Sequence, residues 1–156
     1  MKNRIIPLLL LCCMAVSCRK PVERLDFVYT PYSPADTFVF RYDVMLDEPQ
    51  TEYSTRISCR YNATRINSAT IPVLVAVTSP SGERSMERIE LPLASDGELV
   101  KVQRCGGPVV DIDWPYRDRI VPGEDTGLWR VAIRPLEGEM LGNIYGMGFS
   151  YRRKTD

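Results

Sequence analysis

From residue 25 to residue 152 the chain alternates apolar and polar side chains in short stretches separated by Gly, Pro, Asp and Ser. In the clearest stretch, 53–61, Tyr, Ile, Cys and Tyr share one parity, and Ser and Arg occupy the other. Successive side chains of a strand point to opposite faces, so this alternation predicts a strand with one buried face. The pattern recurs, more or less regularly, at 25–29, 37–44, 88–93, 110–114, 129–134 and 145–152.

Three other stretches complete this pattern. Residues 71–77 are apolar on both parities, which predicts an interior strand covered on both faces. Residues 98–104 fit either a strand or an irregular crossing, and the best helical candidate, 136–141, is short and contains a glycine. The chain is therefore predicted to be all-β, a single antiparallel β-sandwich of about eight to nine strands, Ig-like or jelly-roll-like.

The first 18 residues follow a different pattern. Lys2 and Arg4 precede the apolar run 5–16, which is shorter than the roughly 20 residues that span a bilayer. A basic start, a short apolar run and a small-residue exit are typical of a secretory signal. The tetrapeptide Ala15-Val16-Ser17-Cys18 also resembles the bacterial lipobox, which implies cleavage before Cys18 and lipidation of its thiol. We expect a lipoprotein signal peptide at 1–17, a lipidated tether at 18–24 and the β-sandwich domain at 25–156.

Two alternatives for the N-terminus remain open: an ordinary secretory signal that ends near a chance cysteine, and a buried helix. Under the lipoprotein interpretation the acyl chains are the only membrane anchor. One acyl chain binds a bilayer marginally, whereas two or more give stable attachment. We expect a membrane contact through this N-terminal lipid.

Composition narrows the classes of function. The chain has 20 basic and 20 acidic residues and no histidine. This balance gives no electrostatic footprint for a nucleic-acid partner. Without histidine, a Ser-His or Cys-His nucleophile is impossible, and the commonest transition-metal ligand is missing. We expect no enzymatic activity, no catalytic or metal site and no cofactor.

Carboxylates are the remaining candidates for chemistry. Asp111 and Asp113 lie two residues apart in a predicted strand and so point the same way. With Asp118, Glu124 or Asp125 they could bind calcium, or they could pair as acid and base for glycoside cleavage. The favoured alternative is a solvent-facing strand whose charges discourage edge-to-edge pairing.

Aromatic and cysteine residues give weaker signals. Trp114 and Trp129 share parity with apolar neighbours, which favours core packing over a sugar-binding platform that would include Tyr116. Cys59 and Cys105 lack zinc-site spacing, and we expect two free, buried thiols, with a disulfide as the alternative. The sequon Asn62-Ala63-Thr64 is interpreted as a chance match.

Three segments carry a family resemblance. Thr126–Ile133 is similar to a Gly-x-Tyr-x-Phe-x-Ile strand, and Leu141–Phe149 resembles a closing Leu-x-Gly-Ile-x-Asp-Val-Gly-Leu motif. Ile71–Gly82 resembles an apolar strand followed by a Pro-x-Gly turn. Together they resemble the gliding-motility lipoprotein GldH family of Bacteroidota, over most of the mature chain.

The resemblance implies an accessory, non-enzymatic component of gliding motility or the associated secretion machinery, with an envelope protein as partner. A glycan- or ligand-binding lipoprotein is the alternative. Surface-exported lipoproteins of this phylum tend to carry an acidic run after the cysteine, whereas Arg19-Lys20-Pro21 follows it here. We therefore expect the protein at the outer membrane, facing the periplasm.

Overall fold

Nine antiparallel strands in two sheets make up the part of the chain that the computed structural model describes, residues 23–35, 37–93 and 100–154. The five-stranded sheet has the order β1-β9-β3-β7-β6, and the four-stranded sheet has the order β2-β8-β4-β5. The predicted antiparallel β-sandwich is confirmed. The elements are β1 (Glu23–Tyr29), β2 (Phe40–Leu46), β3 (Tyr53–Asn62), β4 (Thr70–Thr78), β5 (Arg84–Pro92), β6 (Lys101–Gly106), β7 (Val109–Ile120), β8 (Gly127–Pro135), α1 (Gly138–Leu141) and β9 (Ile144–Arg153).

The core lies between the sheets, where the apolar parity of each strand meets the other sheet. Strand β2 alternates strictly between buried and exposed residues, and β3 buries every second residue from Tyr53 to Tyr61. Ile57, Ile112 and Ile133 are fully buried. Burying each such side chain contributes about 1.5–3 kcal/mol relative to leaving it exposed. The strand periodicity thus provides the main stabilisation of the sandwich.

Side chains also join the two sheets near their margins. The Tyr116 hydroxyl and the Arg117 guanidinium of β7 both donate hydrogen bonds to Glu87 of β5. On the opposite side, the Tyr42 hydroxyl of β2 donates to the carbonyl of Met147 in β9 at 2.8 Å. These contacts cross between sheets that no backbone ladder connects.

Several boundaries differ from the predicted ones. The first strand begins at Glu23 instead of Leu25, and the helical turn covers only the end of the predicted stretch 136–141. The stretch 98–104 contributes to β6 from Lys101, while its first two residues lie outside the described ranges. No helix in residues 23–35, 37–93 or 100–154 combines the length and the apolar composition that crossing a membrane requires.

Strand β9 is more buried than its alternating sequence predicts. Gly146, Gly148 and Ser150 are buried, although they occupy the parity that faces away from the core. Strand β1 pairs along β9, and the Phe27 ring lies over the two glycines on the outer face of the sheet. Each glycine leaves the space of a side chain, which the aromatic ring fills.

Candidate functional site

Asp111 and Asp113, the leading carboxylate candidates, are engaged in cross-strand ion pairs. Arg60 on β3 contacts Asp111 through two hydrogen bonds of 2.7 Å, and Arg56 Nε lies 2.5 Å from Asp113 Oδ2. The hydrogen bond from Arg60 is the main cause that lowers the pKa of Asp111. A carboxylate held in this way is a poor proton donor at neutral pH. These two ion pairs join opposite charges on neighbouring strands, on the outer face of the five-stranded sheet.

The other carboxylates do not gather around them. Asp118 and Glu124 are exposed, and the Asp125 carbonyl accepts a hydrogen bond of 2.9 Å from the Trp129 indole. Within the described ranges, no group of three or more His, Cys, Asp or Glu residues is placed to hold a metal ion.

The three aromatic candidates do not form a row on the surface. Trp114 is 2% exposed, and its indole donates to the Pro92 carbonyl at 2.7 Å. Trp129 is half-buried against the core, and the half-buried Tyr116 bonds to Glu87. The core prediction is therefore confirmed for Trp114, whereas Trp129 is only partly covered. A flat glycan platform of these rings is not present.

Both described cysteines are free, so no disulfide joins them. Cys59 is buried, and burial is the main cause that raises the pKa of its thiol. Cys105 is exposed, with its Sγ 3.1 Å from Asp111 Oδ2. The prediction of a buried Cys105 is wrong, because β6 is an edge strand whose six residues are all exposed.

Asn62 and Cys18 are the remaining candidates for modification that the sequence contains. Asn62 of the sequon is buried, and its side-chain amide donates to the Tyr145 hydroxyl at 3.2 Å, so it is held within the fold. Cys18, the predicted lipidation site, lies outside the described residues.

The outer face of the four-stranded sheet carries an open groove of about 520 Å³. Its floor is formed by Ala132 on β8 and Ala76 on β4, which are direct cross-strand neighbours. The same row continues to Arg41 on β2 and Met86 on β5. Because alanine side chains are short, the middle of this row lies below the rows on either side. The predicted interior position of 71–77 is confirmed, since β4 lies between β8 and β5. The cover on its outer face is incomplete, because Pro72 and Ala76 are buried whereas Leu74 is half-buried beside the groove.

Arginines surround this floor. Arg130 and Arg134 lie two residues before and after Ala132 on the same strand face, roughly 7 Å away along β8. Arg41 is the cross-strand neighbour of Ala132, and Arg84 pairs with Thr78 on the β5 side. We call this surface the arginine groove; its lining includes Val39, Arg41, Asp43, Leu74, Ala76, Thr78, Arg84, Met86, Arg130, Ala132 and Arg134.

The charges of the groove are unbalanced. Asp43 is its one acidic lining residue and the cross-strand neighbour of Arg130, yet no ion pair within 4.0 Å joins them. None of the ion pairs among the described residues involves any of the four arginines. On the five-stranded sheet, by contrast, Arg56 and Arg60 each have a partner carboxylate. None of the four arginines is the direct cross-strand neighbour of another, but together they leave an excess of positive charge in the groove, which favours a bound anion.

The chemistry of the groove suits an anionic ligand with apolar parts. A guanidinium presents a planar fork of donors that matches a carboxylate with two parallel hydrogen bonds. Arg41, Arg130 and Arg134 provide such donors around one alanine, and Leu74 and Met86 provide apolar contacts beside them. The groove can therefore bind carboxylates at its walls and apolar side chains at its floor.

The sequence contained only part of this signal. In the stretch Arg130-Val131-Ala132-Ile133-Arg134, alternation places two arginines on one strand face with no acidic residue between them. It does not reveal that Arg41 lies beside Ala132 or that Arg84 lies across β4, because both depend on strand order and register. Because the chain has equal numbers of basic and acidic residues, its overall charge does not reveal the local excess of arginine in the groove.

Comparison of the chain with protein-family models, with curated proteins and with solved structures gave no match.

Proposed function

We propose that this protein is a lipid-anchored, non-enzymatic component of the cell envelope that docks an acidic segment of a partner protein in the arginine groove. The observation that carries the proposal is the group of four arginines around a floor of Ala76 and Ala132, none of which forms an ion pair with a carboxylate among the described residues. Such a surface is electrostatically complementary to Asp and Glu side chains.

A protein segment fits the groove better than an isolated anion. The arginines extend from the edge strand β2 to the edge strand β5, so their positive charge extends across the whole sheet. A small anion would contact only one part of this area. An extended segment with several acidic residues can pair with separate arginines while its apolar side chains contact Leu74, Ala76 and Met86. Charge of this kind steers association and fixes the register of a partner.

The lipobox and the family resemblance support the setting of this docking. Cys18 would hold the domain at the outer membrane, on the periplasmic side, as its sequence context suggests. The resemblance of Thr126–Ile133 and Leu141–Phe149 to the GldH family suggests an accessory role in gliding motility or the associated secretion machinery. The first of these motifs overlaps β8, which also supplies Arg130 and Ala132 to the groove.

Charge reversal in the native cell tests the proposal. The variant Arg130→Glu/Arg134→Glu is expected to lose a crosslinked partner that wild type retains, because two wall charges change sign. Arg104→Glu is the control, since Arg104 is exposed, forms no ion pair with a described residue and lies on β6 of the other sheet. Partner recovery is measured by quantitative mass spectrometry after crosslinking, with a thermal melt to show that each variant is folded. Equal recovery from both folded variants would contradict docking in the groove.

A further inference from the structure

A second unpartnered surface lies on the opposite side of the molecule, on the outer face of β1. Leu25, Phe27 and Tyr29 share the parity of β1 that points away from the core. Leu25 is 57% exposed and Tyr29 is 66% exposed, while Phe27 is half-buried. Tyr32, just after the strand, is fully exposed. We call Leu25, Phe27 and Tyr29 the β1 apolar stripe.

Strand β9 fixes this stripe in place. A Cβ atom at Gly146 would lie 2.4 Å from Phe27 Cε1, and one at Gly148 would lie 2.9 Å from Phe27 Cδ2. The Phe27 ring therefore packs directly on the backbone of β9, and the Tyr29 ring meets it edge-on at a centroid distance of 5.1 Å. The aromatic side chains of the stripe are therefore held in place by packing on β9 and on each other.

The stripe is apolar, and it lies on an edge strand. Of the three charged residues of β1, Arg24 and Asp26 occupy the other parity and pair with each other, whereas the exposed Glu23, at the start of the strand, shares the parity of the stripe. Apolar side chains exposed together on a sheet edge favour association and normally mark an interaction surface. A partner of the stripe should therefore be apolar and able to accept hydrogen bonds from tyrosine hydroxyl groups.

The N-terminal chain indicates which partner is close. Cys18 precedes Glu23 by five residues, which can span at most about 17 Å when fully extended. If Cys18 is lipidated, as the proposed function requires, its acyl chains keep β1 within that distance of the bilayer. Tyrosine is enriched at the membrane–water interface, where its ring contacts acyl chains and its hydroxyl contacts water.

We propose that the β1 apolar stripe rests on the bilayer surface and sets the orientation of the domain. This inference rests on the lipid anchor of the proposed function, and it does not depend on the partner of the groove. The stripe belongs to the outer face of the five-stranded sheet, and the arginine groove belongs to the outer face of the four-stranded sheet. With the stripe on the membrane, the groove faces away from it and is open to a partner in the periplasm.

Site-directed fluorescence on the full-length lipoprotein tests this orientation. The protein is reconstituted in phosphatidylethanolamine–phosphatidylglycerol vesicles that contain nitroxide-labelled lipid, in a Cys105→Ser background that removes the exposed native thiol. A fluorophore is attached to Leu25→Cys or, separately, to Tyr29→Cys. Met86→Cys is the matched control, because Met86 is 60% exposed, close to the 57% and 66% of the test positions, and lies in the groove.

We expect quenching by the nitroxide lipid to be at least several-fold greater at positions 25 and 29 than at position 86. Equal quenching at all three positions in protein that floats with the vesicles would overturn the orientation alone. A label at position 25 that is shielded from water without lipid quenching would also overturn it, since another protein surface, such as a second copy of the chain, would then cover the stripe. Protein that fails to float with the vesicles would overturn the lipid anchor and the orientation together, while docking in the groove would still be tested by charge reversal.

Discussion

At the scale of single residues, small side chains shape both outer faces of the sandwich. Ala76 and Ala132 lower the middle of the groove, so that the surrounding arginines form walls. Gly146 and Gly148 do the same for the β1 apolar stripe, since the Phe27 ring occupies the space above them. In both places the function of the residue is to leave room for another group.

The glycines allow a direct stability test. In Gly146→Ala the new methyl group would lie 2.4 Å from Phe27 Cε1 and 2.7 Å from the Val28 carbonyl oxygen, so the backbone of β1 has to move. We expect the free energy of unfolding to fall by about 1–3 kcal/mol, as is typical of overpacking. Urea denaturation of the mature protein measures this change.

Gly142→Ala is the matched control for the same methyl addition. Gly142 follows α1 with helical backbone angles, and a Cβ atom there would meet nothing within 4 Å. Its stability should be unchanged or slightly raised, by up to about 1 kcal/mol, because alanine reduces the entropy of the unfolded chain. Similar losses in the two variants would show that the packing of Phe27 on β9 is wrong.

At the scale of secondary-structure elements, Glu87 connects β5 of one sheet with β7 of the other. It accepts hydrogen bonds from the Tyr116 hydroxyl and from the Arg117 guanidinium, and the bond from Tyr116 is the main cause that lowers the pKa of Glu87. Burial, and then the bond to Glu87, raise the pKa of Tyr116 to about 12. The contact therefore stabilises the protonated tyrosine next to the ionised glutamate.

The variant Tyr116→Phe should remove this contact and change the pH dependence of stability. The raised tyrosine pKa contributes stability that is fully present below the unfolded value of about 10. That contribution is lost as the pH rises towards the folded value of about 12. We expect the variant to be less stable than wild type by about 1 kcal/mol at pH 7, and by less at pH 11. Urea denaturation at the two pH values measures both differences.

Tyr29→Phe is the control for this experiment, because Tyr29 is 66% exposed and its hydroxyl should contribute little. It should match wild type within about 0.5 kcal/mol at pH 7. A Tyr116→Phe variant as stable as wild type at pH 7, or with the same deficit at pH 11, would mean that the Tyr116–Glu87 contact does not link the sheets.

The sequence predicted which stretches form strands better than it predicted what covers each strand in the fold. Parity correctly placed the side chains of Ile57, Cys59 and Trp114 in the core, because alternation follows from local geometry. It did not distinguish Trp114 from the half-buried Trp129, since the cover over each ring comes from residues distant in sequence. The exposure of Cys105 likewise depends on β6 being at the edge of its sheet.

At the scale of the whole molecule, the two outer faces differ in charge balance. The five-stranded sheet pairs Arg56 with Asp113 and Arg60 with Asp111 across neighbouring strands. Within the described residues, the four-stranded sheet has four arginines around one groove whose lining includes a single acidic residue, Asp43. This asymmetry supports the proposed docking of an acidic partner on the four-stranded sheet.

The candidate site could be predicted from the sequence less well than the fold. In a chain without histidine, the sequence favours carboxylates as the side chains that could carry chemistry. The sandwich pairs two of them with arginines of β3 and collects unpaired arginines from β2, β5 and β8 elsewhere. Strand order decides which charges are neighbours, and alternation within a strand carries no information about that order.

The central claim is that carboxylates of a partner protein lie against the groove, and zero-length crosslinking of Arg134→Lys tests it most directly. The substitution keeps the positive charge and adds a primary amine, which a carbodiimide joins only to a carboxylate in direct contact. Arg104→Lys on β6 is the control. We predict that, in native cells, position 134 is joined to an Asp or Glu of another protein and that position 104 is not. Absence of such a crosslink at position 134, or equal crosslinking at position 104, would contradict the account.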